Sequence, residues 1–142
     1  MPIRAEFRHF YRGAGWAATR ARILERAEWQ CEQCGKPGGM EVQVFGTGSC
    51  GQVWRHGWRK NPKWTSCLTG KKISLRLFAP QDVRTIRVVL TIAHLNHVAG
   101  DDRDENLRAL CQWCHLNYDR QFHRDTRAAR KDAARPLLAG VA

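Results

Sequence analysis

Two Cys-x-x-Cys pairs far apart in the sequence constrain this chain more than any other feature: Cys31 with Cys34, and Cys111 with Cys114. Two thiolates separated by two residues can bind one cation from a tight turn, and Gly35 relieves the backbone strain of the first turn. Together the pairs supply the four ligands of a tetrahedral structural zinc ion. The sequence therefore predicts one zinc site that joins the two segments; the alternative is two unrelated buried pairs.

The six cysteines of the chain also bear on its compartment. We expect metal ligands rather than disulfides, because the cytosol keeps thiols reduced. Cys50 and Cys67 lie outside the pairs, and we interpret each as a small buried side chain in preference to a ligand. No apolar run approaches the roughly 20 residues that span a bilayer, and the first residues lack the apolar core of a signal peptide. We expect a cytoplasmic protein with no membrane partner.

The charge of the chain points to nucleic acid. Its 24 Lys and Arg residues exceed its 13 Asp and Glu residues, which gives a net charge of +11. Phosphates are the usual partner of such a basic domain. The alternative is that the basicity reflects only the arginine-rich composition encoded by a GC-rich genome.

A strand, a loop and a helix are predicted around the second cysteine pair. Residues 88–123 read VVLTIAHLNHVAGDDRDENLRALCQWCHLNYDRQFH, in which a β-branched run leads to His94. His115, Asp119 and His123 are spaced by four, so a helix would project them from one face, where they could converge on one ion. The alternative is a set of polar residues on an exposed helical face.

This part of the chain resembles the HNH endonucleases. The resemblance rests on the order His94, Asn106, His115, on the string NLRALCQWCH that ends at His115, and on the cysteine pair upstream. It implies that His94 is the general base, that the amide of Asn106 pins the loop that carries the base, and that His115 binds the catalytic ion. His97 is the competing candidate for the base.

The resemblance also implies a fold and a reaction. The fold is α+β: a ββα-metal (His-Me finger) core with strands near 88–92 and 108–110, a helix from Trp113, the four-cysteine zinc site and an inserted β-hairpin segment. The reaction is the cleavage or nicking of DNA phosphodiester bonds with Mg²⁺, Mn²⁺ or another divalent ion, beside the structural Zn. Small HNH proteins of this kind are encoded by bacteria and phages.

One position departs from the HNH pattern. Family members usually carry an Asp or His immediately before the base, where it binds the catalytic ion, and here that position is Ala93. Other side chains that could compensate are Asp119, His123, Asp101, Asp102 and Asp104, although we interpret the last three first as turn and cap residues. The alternative functions are a non-catalytic zinc-stabilised DNA-binding module and, less favoured, an RNA nuclease or nuclease-type toxin.

We expect a single domain over 1–142, divided into an entry helix and first zinc knuckle (16–34), an insertion (36–87), the HNH motif (88–123) and a basic tail (124–142). An Ala-rich pattern with apolar residues every three or four positions predicts a helix over 15–28. We interpret its arginines, Arg20, Arg22 and Arg26, as a solvated face in preference to a DNA contact. The tail is either an arm that contacts phosphates or, preferably, a solvated helix.

The insertion combines basic residues with tryptophans. It has no acidic residue between Glu41 and Asp82, and strands are predicted at 41–45, 52–54 and 73–78. Such a composition can neutralise phosphates and stack on bases. The alternative is that Trp54, Trp58 and Trp64 fill a small core. The candidate DNA-binding residues are Arg55, Arg59, Lys60, Lys63, Lys71 and Lys72.

Overall fold

The computed structural model describes residues 3–46, 52–60, 62–73 and 82–135. Within them the fold is α+β, which confirms the predicted class. In chain order the helices and strands are α1 (Ala14–Arg26), β1 (Glu41–Phe45), β2 (Val53–Arg55), β3 (Trp64–Ser66), β4 (Lys72–Ile73), β5 (Arg84–Arg87), β6 (Leu90–His94), β7 (Leu107–Cys111) and α2 (Gln112–Ala133). A 3₁₀ segment (Ala5–Tyr11) precedes α1, and a short 3₁₀ turn (Asp104–Asn106) precedes β7.

The described part of the insertion forms an antiparallel sheet of five strands in the order β4-β3-β2-β1-β5. Val42 and Val44 are buried while their neighbours in β1 are more exposed, as the period of two in a strand requires. β1 matches its predicted bounds, and β2 lies one residue later than predicted. Most of the strand predicted at 73–78 lies outside the described residues. β3 and β5 were not predicted, because such short polar strands carry little sequence pattern.

The second sheet is a hairpin that leads directly into a helix. β6 pairs with β7 in antiparallel register, from Leu90 opposite Cys111 to His94 opposite Leu107. α2 begins at the next residue, Gln112. The first strand starts two residues later than predicted because Val88 pairs instead with the turn before β1, where its N–H donates to the Met40 carbonyl at 2.9 Å. His94 is therefore the last residue of its strand.

One core joins these elements. Ile23 and Leu24 of α1, the two valines of β1, Trp54 and Leu107 are buried together with the four paired cysteines. α1 ends two residues before the predicted boundary, since Glu28 and Trp29 both adopt left-handed backbone conformations that end a helix. None of the helices in the described ranges is long and apolar enough to cross a membrane.

The α1 arginines Arg20, Arg22 and Arg26 are exposed, as a solvated face requires, but two of the three also bond to other parts of the chain. Arg22 forms an ion pair with Asp104 at 2.6 Å. Arg26 donates to the carbonyl oxygens of Asp104 (2.8 Å) and Leu107 (2.6 Å) and pairs with Glu32 at 3.0 Å. These contacts attach α1 to the turn and strand that follow the loop of the motif. They depend on tertiary packing, so helical periodicity alone could not reveal them.

Candidate metal centre and histidine cleft

The four paired cysteines meet in the core. All four are buried, and their sulfur atoms lie within 4.8 Å of one another. Cys34 Sγ and Cys111 Sγ are 3.8 Å apart. A tetrahedral zinc ion with Zn–S bonds of about 2.3 Å separates its sulfurs by roughly 3.8 Å. The predicted convergence is thus confirmed, and the donor set fits a metal ion such as zinc.

Local structure positions each pair. In the first knuckle the Gly35 N–H donates to the Cys31 carbonyl at 2.8 Å, and the glycine adopts φ +79°. The indole N–H of Trp54 donates to the Cys34 carbonyl at 2.9 Å, which attaches the knuckle to β2. Cys111 occupies the N-cap position of α2, and Cys114 lies in the first turn of the helix. The positive end of the helix favours thiolates at these two positions.

Lys36 is an unexpected member of this site. It is fully buried (0% exposed), and its Nζ lies 3.9 Å from Cys111 Sγ. Burial lowers the pKa of Lys36, but the neighbouring sulfurs of Cys111, Cys67 and Cys34 raise it more, so the net shift is upward. A buried ammonium offsets the negative charge of a tetrathiolate centre. The sequence offered no signal for this role beyond its position two residues after Cys34.

Cys50 and Cys67 are the two cysteines outside the pairs. Cys67 is buried beside the site, and its carbonyl oxygen lies 3.6 Å from Cys114 Sγ. Its sulfur is not part of the compact set of four. Cys50 lies outside the described residues.

His94 is held by a carboxylate and covered by aromatic rings. Its Nε2 lies 2.9 Å from Asp102 Oδ1, and only 8% of the residue is exposed. The ring of Trp16 is nearly parallel to it, with a centroid distance of 5.8 Å, and Tyr11 meets it edge-on at 6.0 Å. Sequence reasoning interpreted Asp102 first as a turn residue and gave no role near His94 to either aromatic side chain.

Asn106 fastens the loop between β6 and β7. Its Oδ1 accepts from the Asn96 N–H at 3.0 Å, and its Nδ2 donates to the Asn96 side chain at 3.0 Å and to the Asp101 carbonyl at 2.8 Å. Its own carbonyl accepts from the Leu95 N–H at 2.8 Å. These bonds position the loop that carries Asp102, the partner of His94.

Asp119 of α2 is surrounded by three histidines. Its Oδ2 lies 3.1 Å from His115 Nε2 and 4.0 Å from His123 Nε2, and its Oδ1 lies 3.2 Å from His97 Nδ1. Burial raises the pKa of Asp119, but its hydrogen bond with His115 and the nearby histidine charges lower it more, so the net shift is downward. His97 reaches this cluster with φ +59°, a strained backbone for a non-glycine residue.

Thr91 of β6 contacts His115. Its hydroxyl oxygen lies 2.7 Å from His115 Nδ1 and 3.1 Å from the Leu110 carbonyl oxygen. The hydroxyl can donate its one proton to either partner, so both tautomers of a neutral His115 ring fit this contact. In the tautomer with the proton on Nε2, that N–H donates to Asp119 Oδ2 at 3.1 Å. A metal ion at Nε2 requires the other tautomer, in which Nδ1–H donates to Thr91 Oγ1.

The four histidines and Asp119 line one cleft of about 620 Å³. His94 lies at the end of β6, His97 lies in the loop, and His115, Asp119 and His123 lie on α2. Among the described residues, only the four cysteines form a set of three or more His, Cys, Asp or Glu donors grouped closely enough to hold a metal ion. The histidines and Asp119 are thus linked by hydrogen bonds and are not a compact ligand set as they stand. Ala93 is buried, at 1% exposure.

The basic insertion is less available than predicted. Arg55 bonds to Gln43 at 2.7 Å and lies over the Trp64 ring, and Lys72 bonds to Thr65 at 2.9 Å. Trp54 and Trp64 are buried, which favours the alternative that they fill a small core over stacking on bases. Trp58 is 52% exposed. The remaining candidates are exposed: Arg59, Lys60, Lys63 and Lys71.

In comparisons with known proteins, no protein-family model, curated protein or solved structure matches this chain.

Proposed function

We propose that this protein is a metal-dependent, HNH-type endonuclease that cleaves or nicks DNA, built on a ββα-metal core that a structural zinc ion holds together. One observation carries the proposal. The strand-end His94 and the α2 residues His115, Asp119 and His123 line the same cleft, although the two groups come from different elements. The hairpin β6-β7 followed at once by α2 provides the element order that the HNH resemblance implies.

His94 has the surroundings of a general base. Hydrolysis of a phosphodiester needs a group that takes a proton from water, and a histidine suits this role near neutral pH. When the Nε2–H of His94 donates to Asp102, the neutral ring carries its lone pair on Nδ1. Asp102 then holds the tautomer and offsets the charge that the ring acquires, as a carboxylate does for a catalytic histidine elsewhere.

His115, Asp119 and His123 would hold the catalytic ion. Imidazole and carboxylate donors suit several divalent metals. His115 Nε2 lies 3.1 Å from Asp119 Oδ2, a separation that neighbouring ligands of one ion have, and His123 Nε2 lies farther away at 4.0 Å. Binding all three requires side-chain movement, since they are not compact as they stand. A bound divalent ion would supply Lewis-acid stabilisation of the charged phosphate.

A second function has a specific observation in its favour. The buried Ala93 supplies no ligand beside the base, and the α2 donors are not compact. Both features suit a non-catalytic zinc-stabilised DNA-binding module. A supercoiled-plasmid nicking assay with and without Mg²⁺ or Mn²⁺ separates the two: metal-dependent nicking supports the endonuclease, and binding without cleavage under any divalent ion supports the module. Parallel assays with RNA test the choice of nucleic acid.

A further inference from the structure

Beyond the histidines, α2 extends the cleft as a basic surface. Thr126, Arg127 and Arg130 line the same cleft as His123 and Asp119. Spacings of three and four residues place these side chains along one helical face. α2 continues without interruption to Ala133, so this face is rigidly joined to the histidine cluster. The basic tail therefore begins as part of the cleft wall.

Arg127 and Arg130 are available to a ligand. Both are exposed, and neither guanidinium has a hydrogen-bond or ion-pair partner in the part of the chain that the structure describes. Arg4 also lines the cleft but is paired with Glu6 at 3.6 Å. Two unpaired guanidinium groups facing a cleft are suited to bind phosphate oxygens.

The insertion is a weaker candidate for this role. Two of its basic side chains, Arg55 and Lys72, already bond within the sheet. None of the insertion's described residues lines the histidine cleft. A DNA strand that enters the cleft would therefore meet the α2 arginines first.

We propose that Arg127 and Arg130 bind the backbone phosphates of the DNA strand whose reactive phosphate lies in the histidine cleft, so that the strand runs along α2. The inference rests on the proposed function for the position of that phosphate. A helix rises 1.5 Å per residue, which places the two arginines roughly 12 and 16 Å beyond Asp119. One strand of B-DNA carries a phosphate about every 3.4 Å of duplex axis, and consecutive phosphates along the strand are farther apart than this, so the contacts fall at most about five nucleotides from the reactive position.

The test is a comparison of two double variants that remove the same charge from the same helix. Arg127→Gln/Arg130→Gln removes the cleft arginines. Arg120→Gln/Arg124→Gln removes two exposed arginines that do not line the cleft. Gln and Arg have similar helix propensities, so both variants should keep α2 intact. Helical circular dichroism and zinc content check this directly.

Binding of a labelled DNA duplex is measured by fluorescence anisotropy across salt concentrations, with no added divalent ion. Each duplex phosphate contact contributes about 0.9 to the salt slope, so the cleft variant should lose about 1.8. The factor by which its DNA affinity falls below that of the wild-type protein should be roughly tenfold larger at 50 mM than at 200 mM salt. The control variant should keep the wild-type slope.

Three results would overturn the inference: an equal loss of salt slope in the two variants, an unchanged salt slope in the cleft variant, or no binding of the duplex by the wild-type protein. Loss of the slope on Arg59→Gln/Lys60→Gln/Lys63→Gln, with the cleft variant unaffected, would assign binding to the insertion instead. The proposed function fails separately. If the variants show the expected salt slopes but the wild-type protein never cleaves DNA, the inference stands and the endonuclease proposal fails. If the wild-type protein cleaves DNA but the cleft variant keeps the wild-type slope, the endonuclease proposal stands and the inference fails.

Discussion

His94 Nε2 and Asp102 Oδ1 lie 2.9 Å apart, and this pair joins the end of β6 to the loop that Asn106 fastens. The pair fixes which ring nitrogen of His94 carries the proton. The His94 ring also packs against the rings of Trp16 and Tyr11. A substitution of His94 is therefore expected to disturb this packing as well as the chemistry proposed for the ring.

Asp102→Asn is the sharper test of the base. The change keeps the shape and an acceptor for the Nε2–H but removes the charge that offsets a protonated ring. We expect kcat to fall at least tenfold, while DNA affinity and zinc content stay at wild-type values and the free energy of unfolding changes by no more than about 1 kcal/mol. Single-turnover cleavage and chemical denaturation measure these quantities.

His94→Gln should lower cleavage further, by roughly 10²- to 10⁴-fold, since it removes the base itself. Trp16→Leu is the matched control: it disturbs the packing of the His94 ring and leaves the imidazole in place. If Trp16→Leu costs as much activity as His94→Gln at equal folded fraction, the role of His94 is structural and the base assignment fails.

The purified protein should contain one zinc ion per chain, bound by Cys31, Cys34, Cys111 and Cys114. Cys111→Ser should lose most of the zinc and much of the stability, because metal binding at such a site contributes directly to folding. Cys67→Ser, which changes a buried sulfur outside the compact set, should retain the zinc. Metal analysis and thermal melting decide the matter. Zinc-free wild-type protein, or an unaltered Cys111→Ser variant, would contradict the site.

His115→Ala should reduce cleavage in a way that higher Mg²⁺ or Mn²⁺ concentration partly restores, because a weakened ligand set yields to mass action. Asp102→Asn should show no such rescue. The same metal titration on His123→Ala tests whether that residue, 4.0 Å from Asp119, is also a ligand. Equal activity loss at every metal concentration would remove His115 from the ligand set.

Arg26→Ala should lower the free energy of unfolding by about 1–2 kcal/mol, because it removes hydrogen bonds to two carbonyl groups and the pairing with Glu32. Arg20→Ala, on the same helix, should stay within about 0.5 kcal/mol, since the structure shows no partner for Arg20 among the residues it describes. Urea denaturation compares the two. Similar losses would mean that the contacts with Asp104, Leu107 and Glu32 do not explain the effect, because Ala has a slightly higher helix propensity than Arg and both changes share that gain.

The sequence determined the features that depend on short-range spacing. Each Cys-x-x-Cys pair specifies half of a metal site within four residues, and the β-branched run before His94 specifies a strand. The spacing of His115, Asp119 and His123 places three donors on one helical face. Such patterns can be recognised because neighbours in a helix, strand or tight turn are separated by constant numbers of residues.

The tertiary structure decided which side chains these features meet. Asp102 reaches His94 only because Asn106 closes the loop, Lys36 enters the cysteine site only because the two knuckles pack together, and Arg26 bonds to β7 only after α1 docks on it. Arg127 and Arg130 line the cleft because α2 continues in line with the histidines. These contacts join residues whose separation follows no period, so only the closure of the chain on its core brings them together.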